Sequence, residues 1–111
     1  MLNKDAFCIE TILEAIDRIN EYTSAFKSAD EFNNDYRNFD ATMMNFVVIG
    51  EMVIKLSEEF KRKHNHIEWI KIKGFRNIVA HDYFGIDAEE VWQIIKNKIP
   101  SLKIEIQQLE R

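Results

Sequence analysis

Between positions 76 and 83 the chain reads Arg76-Asn77-Ile78-Val79-Ala80-His81-Asp82-Tyr83, three reactive side-chain types in otherwise apolar, helix-like sequence. Arginine is a fixed cation that can fork onto a phosphate. Histidine takes or gives a proton near neutral pH. Cleavage of RNA by its own 2′-hydroxyl needs a base for that hydroxyl, an acid for the leaving 5′-oxygen and positive charge on the phosphorane. Arg76 and His81 supply most of that list, and the chemistry requires no metal.

Helical spacing places these groups relative to one another. Asn77 and His81 are four apart and share a face. Arg76 and His81 are five apart, about 140° around the axis and ~7.5 Å along it, so the long arginine must swing to reach the same groove. One histidine does not easily act as both base and acid. Two copies across a dimer would do both, which suggests a two-fold composite site. A purely structural reading stays open beside this one. Arg76 could pair with an acid such as Glu51 or Asp82, His81 could cap a helix end where the dipole favours its cation, and Tyr83 could be a half-buried aromatic.

The elements around this stretch read as helices. Three glycines and one proline in 111 residues leave little turn chemistry and argue against a sandwich or barrel. Ile9, Ile12, Leu13, Ile16, Ile19 and Phe26 recur at helical spacing and predict a first helix over about 3–27. Ser28-Ala29-Asp30-Glu31 has the form of a capping box opening a short helix. A long helix is expected over about 39–63. Gly50 lies in its middle at a cost of about 1 kcal/mol relative to alanine, so a close helix crossing is the expected reason. His64-Asn65-His66 reads as a polar surface loop rather than a metal site. A fourth helix is predicted over about 68–83. A fifth starts at Asp87, with Glu90 at its third position and an Ile86–Val91 staple, and runs through Pro100 either as one helix kinked there or as two nearly collinear ones. The expected fold class is all-α: an up-and-down bundle of four main helices plus a short one, in a single domain over 1–111.

Composition sets the broad limits. Hydrophobic residues make up 46% and charged residues 31%, an ordinary globular balance. Cys8 has no second cysteine to pair with, and its apolar neighbours suggest a small buried hydrophobe. The amino terminus lacks an apolar signal core, and the longest apolar run is far short of the ~20 residues that span a bilayer. A soluble, cytoplasmic protein with no membrane partner is expected. The net charge of −4 is uneven: residues 55–81 hold seven Lys/Arg against three Glu, a net of +4. That basic run leads into the Arg76–Tyr83 stretch and hints at an anionic ligand.

At these residues the sequence resembles the HEPN ribonucleases, in the form carried by HepT-like toxins. The resemblance rests on Arg76, four residues, His81, one residue and Tyr83. It extends to Ile49-Gly50-Glu51, to Trp69 followed by Gly74-Phe75-Arg76-Asn77, and to Val91-Trp92 with Ile99-Pro100-Ser101-Leu102. Phe75 replaces the family's usual methionine, and Met52 stands where a small residue commonly follows the glutamate.

The resemblance implies a HEPN-type bundle and an endoribonuclease, the toxin of a toxin–antitoxin system, with RNA as substrate and no cofactor. It implies Arg76 and His81 as the catalytic pair, facing their copies across a homodimer. Asn77 and Glu51 would support them. Tyr83 would be the residue to which a minimal nucleotidyltransferase antitoxin attaches AMP, adding bulk and negative charge beside His81. The alternative is a non-catalytic nucleotide-binding or scaffold subunit of a nucleotidyltransferase complex.

Overall fold

The structure is a computed structural model that describes residues 3–82 and 85–109, with the backbone alone at 80–82. Among the described residues every regular element is helical: α1 Lys4–Thr23, α2 Ala29–Asn34, α3 Tyr36–Lys55, α4 Glu58–Lys63, α5 Trp69–Lys73, α6 Phe75–Asp82, α7 Ala88–Gln93, a π-helical turn Ile94–Lys98, and α8 Ile99–Gln107. The all-α bundle expected from the sequence is the observed class. α1 and α3 form its central pair. α5 and α6 cross α3, α8 returns against α1, and α2 seats against α3 and α7.

The apolar stripes explain this packing. Ile9, Ile12, Ile16 and Ile19 of α1 are fully buried, in one cluster with Met43, Phe46, Ile49 and Val53 of α3. Full burial of one such side chain contributes about 1.5–3 kcal/mol, so this seam alone orders the central pair. Phe32 anchors α2: its ring lies 5.0 Å from Phe39 of α3 and 5.8 Å from Trp92 of α7. The principal caps fall where the side chains call for them. Ser28 accepts from the Glu31 amide at 3.2 Å, and Asp87 accepts from the Glu89 and Glu90 amides.

Four boundaries differ from the sequence expectation, each for a local reason. α1 starts after the cap Asn3 but ends at Thr23, whose hydroxyl turns back onto the Ile19 carbonyl at 2.8 Å. The long helix expected over 39–63 breaks at Leu56, which takes an extended ψ of 141° and turns its side chain into the core. Ser57 then caps a new helix, α4, at the Phe60 amide, while Asp5 of α1 accepts from both the amide and the hydroxyl of Ser57 at 2.8 and 2.7 Å. The helix expected over 68–83 is divided at Gly74 into α5 and α6. The helix expected from Asp87 through Pro100 is interrupted by the π-helical turn Ile94–Lys98, and Pro100 stands in the first turn of α8. The missing N–H and the ring's clash with the preceding turn are absorbed by the π-helical turn just before it.

Candidate active site

Arg76 is placed by its neighbours in sequence. Phe75 is buried and meets the Phe46 ring edge-on at 5.3 Å, which fixes the start of α6 against α3. The amides of Asn77 and Ile78 bond to the Gly74 carbonyl, so the first turn of α6 forms at once. The next side chain round, Arg76, emerges at the surface beside α3. Its Nε donates to Oε1 of Glu51 at 2.6 Å.

Gly50 makes this approach possible. A Cβ at Gly50 would stand 2.6 Å from the Cβ of Arg76 and 3.0 Å from both the Arg76 nitrogen and the Lys73 carbonyl oxygen. The close crossing expected from a mid-helix glycine is therefore present, and its partner is the segment that carries Arg76. Sequence reading located the glycine and the arginine separately. Their contact joins residues 26 apart in the chain, which no local pattern discloses.

The Arg76–Glu51 pair is partly solvated, with 44% and 38% of the two side chains exposed. Such surface pairs contribute about 0–1 kcal/mol, so its effect lies in orientation more than in stability. The contact runs through Nε, and among the described residues no ion pair engages the terminal guanidinium N–H groups, which can fork onto an anion. The pairing of Arg76 with Glu51, the structural alternative for this arginine, is present.

The remaining site residues are placed unequally. Asn77 is exposed on α6. The backbone of His81 continues the same helix five residues beyond Arg76. The side chain of His81 and the whole of Tyr83 lie outside the described residues.

The other candidate groups do not join this site. His64 is buried, not displayed on a surface loop. Its ring packs 4.6 Å from Phe60, and its carbonyl accepts from the Trp69 indole at 3.1 Å. Cys8 is buried in the core, and desolvation, followed by the charge of Asp5, pushes its thiol above the ordinary range. The Glu68 carboxyl is held below the usual range by its bond to Lys71. No helix among the described residues is long and apolar enough to cross a membrane.

Residues 12–109 match the family described as ribonuclease HepT-like. The chain belongs to the HepT-like ribonuclease family. The matched span contains Glu51, Arg76, Asn77, His81 and Tyr83.

Known proteins show the same likeness. The HepT-like chain is 33% identical over 103 residues to the probable ribonuclease HepT of Thermococcus cleftensis, covering 93% of each chain. It is 31% identical over 96 residues to a candidate RNase of Methanocaldococcus jannaschii, covering 86% of this chain and 87% of that one. It is 40% identical over 95 residues to another protein of that organism, described as a gamma-glutamylcyclotransferase and candidate RNase. There the match covers 86% of this chain but only 42% of the relative. No solved structure matches the chain. The family expected from the Arg76–Tyr83 stretch is therefore the family found, and its class of enzyme is a ribonuclease.

Proposed function

We propose that this HepT-like protein is a metal-independent endoribonuclease toxin, acting as a homodimer at a site shared by two copies. The observation that carries the reading is the exposed Arg76, held by Glu51 at the start of the helix that continues through His81. In this reading one His81 takes the proton of a 2′-hydroxyl as its oxygen attacks the adjacent phosphorus. The bond from phosphorus to the 5′-oxygen breaks, leaving a 2′,3′-cyclic phosphate. The His81 of the second copy gives a proton to the departing oxygen. The two Arg76 guanidiniums neutralise charge on the phosphorane. Asn77, on the His81 face of α6, orients the imidazole.

The outer face of α3 supports a dimer through this region. Met44, Val47, Glu51 and Ile54 recur at steps of three and four, one stripe along the helix. Met44 is 61% and Ile54 42% exposed, so apolar surface flanks Glu51 on both sides. A second copy on this stripe would bring the two Arg76–Glu51 pairs together.

Control would come from a partner nucleotidyltransferase that transfers AMP to Tyr83. The tyrosine oxygen would attack the α-phosphorus of ATP, and pyrophosphate would leave. The added phosphate would lie two residues from His81 in sequence, where it competes for the arginine.

The test is cleavage of RNA by the purified protein in EDTA. Cleavage is expected for the native sequence and is lost in Arg76→Ala and in His81→Ala. Cleavage that survives both changes places the site elsewhere. Coexpression with the partner should add an adenylate mass to the native chain and none to Tyr83→Phe.

A second reading, a non-catalytic scaffold that binds nucleotide for a nucleotidyltransferase, draws on the overall charge of −4, unusual for a protein that must gather RNA. It predicts tight binding to the partner, no RNA cleavage and no growth arrest on expression alone.

A further inference from the structure

A cleft of about 660 Å³ opens between the end of α3, the α4–α5 connection and α5. This lies within the roughly 300–1,000 Å³ range of small-ligand sites. Its wall includes Val53, Ile67, Trp69 and Ile70, of which Ile70 is 83% exposed at the rim. Four cations also line it. Two are already engaged, Lys61 with Glu58 at 3.1 Å and Lys71 with Glu68 at 2.7 Å. The other two, Arg62 and Lys73, are exposed and have no ion pair among the described residues. An apolar wall beside two unengaged cations suits a base joined to a phosphate. Position adds to this: Lys73 stands one helical turn before Arg76, and Gly74 between them keeps helical backbone.

We propose that this cleft is a subsite for one unpaired nucleotide of a single-stranded RNA, next to the nucleotide being cut. The base would lie on the Ile70–Trp69 wall, and Arg62 and Lys73 would hold the flanking phosphates. The strand then runs along α5 to Arg76. A duplex is excluded as the preferred occupant, because its bases are stacked away and cannot enter a cleft. This inference rests on the ribonuclease reading and gives that substrate its class.

Two measurements test it. In the first, a single-stranded RNA of about ten nucleotides is titrated onto the Arg76→Ala protein, which leaves the RNA uncut, and the indole N–H resonance of Trp69 is followed. Trp69 lines the cleft, and its indole N–H is held in one place by its bond to the His64 carbonyl. The resonance should move with the single strand and not with a blunt duplex of the same sequence, and Ile70→Asp should weaken binding about tenfold, some 1.4 kcal/mol. In the second, KM of the native protein should fall as the substrate lengthens from a dinucleotide to the longer strand, and Ile70→Asp should abolish that gain. Because Ile70 is at the surface, thermal melting of Ile70→Asp should match the native protein, which separates lost binding from lost folding.

RNA binding that leaves the Trp69 resonance still and is indifferent to Ile70→Asp overturns the subsite while leaving the cleavage reading intact. So does a resonance that answers to a partner protein and not to RNA. A native protein that cuts no RNA overturns the cleavage reading instead, and the titration still decides the cleft.

Discussion

Gly50 of α3 lies directly beneath Arg76 of α6, so close that one added methyl carbon would stand 2.6 Å from the arginine's own Cβ. The same approach brings the following residue, Glu51, within 2.6 Å of the guanidinium. One missing side chain therefore sets both the helix crossing and the orientation of the cation.

Gly50→Ala should destabilise the protein, although alanine is the better helix former by about 1 kcal/mol. The atoms in the way are a Cβ and two backbone atoms, none of them the free end of a flexible chain. Overpacking of this kind costs about 1–3 kcal/mol, so the clash outweighs the propensity. Thermal melting should shift down by several degrees. RNA cleavage should fall further than stability does, because α6 carries Arg76.

Arg76→Ala should lower kcat about 100-fold or more, the usual effect of removing one group that stabilises transition-state charge. Its melting temperature should stay close to the native value, since a surface pair contributes about 0–1 kcal/mol. Arg76→Lys should recover little, because a point charge cannot form the fork. Steady-state cleavage alongside calorimetry checks both halves.

Glu51→Gln separates orientation from charge. The amide keeps the size of the side chain but holds the guanidinium weakly, so kcat should drop about tenfold, some 1.4 kcal/mol. KM should stay level or fall, because an acid has been removed from beside the proposed phosphate site. A rise in KM with kcat unchanged would assign Glu51 to substrate binding instead.

Asp5 and Ser57 join the start of α1 to the start of α4 through two hydrogen bonds to one carboxylate. Asp5→Ala and Ser57→Ala should each cost about 1–2 kcal/mol, since bonds to a charged acceptor are among the stronger ones and Ser57 is also a cap. The double substitution should cost less than the sum of the two, because both remove one interaction. Urea denaturation of the four proteins measures the coupling.

Cys8 should resist thiol reagents in the folded protein. Its thiol is buried and its pKa is raised, chiefly by desolvation. The folded state thus holds this proton more tightly than the unfolded chain. Its contribution to stability is full below the ordinary thiol range and is lost as pH rises through that range toward the folded value. Labelling rates should follow the unfolding rate, and alkaline solution should lower stability less in Cys8→Ala than in the native chain.

Much of the architecture was legible because it rests on local periodicity. The isoleucines of α1 spell one buried stripe, and the caps Ser28 and Asp87 are read from their own neighbours. The family was legible for a similar reason: Arg76, His81 and Tyr83 lie within eight residues, and their spacing is a property of the chain, not of the fold. The breaks were harder to see. Ser57 followed by two acids is a helix start, but it stands inside a continuous apolar pattern. It becomes a boundary because Asp5, 52 positions away, binds it. His64 does lie in the turn that composition suggests, yet aromatic packing against Phe60 buries its ring.

By itself, then, the sequence determined the helical class, the core stripes and the family to which the chain belongs. These depend on side-chain type and on separations of three to five positions. Only the tertiary structure decided that Gly50 belongs to Arg76, that Glu51 holds the guanidinium, and that the basic run from Lys61 to Lys73 borders a cleft. Those relations join α3 to α5 and α6 across the bundle. Their physical cause is the packing of helices against one another, which short-range spacing does not encode.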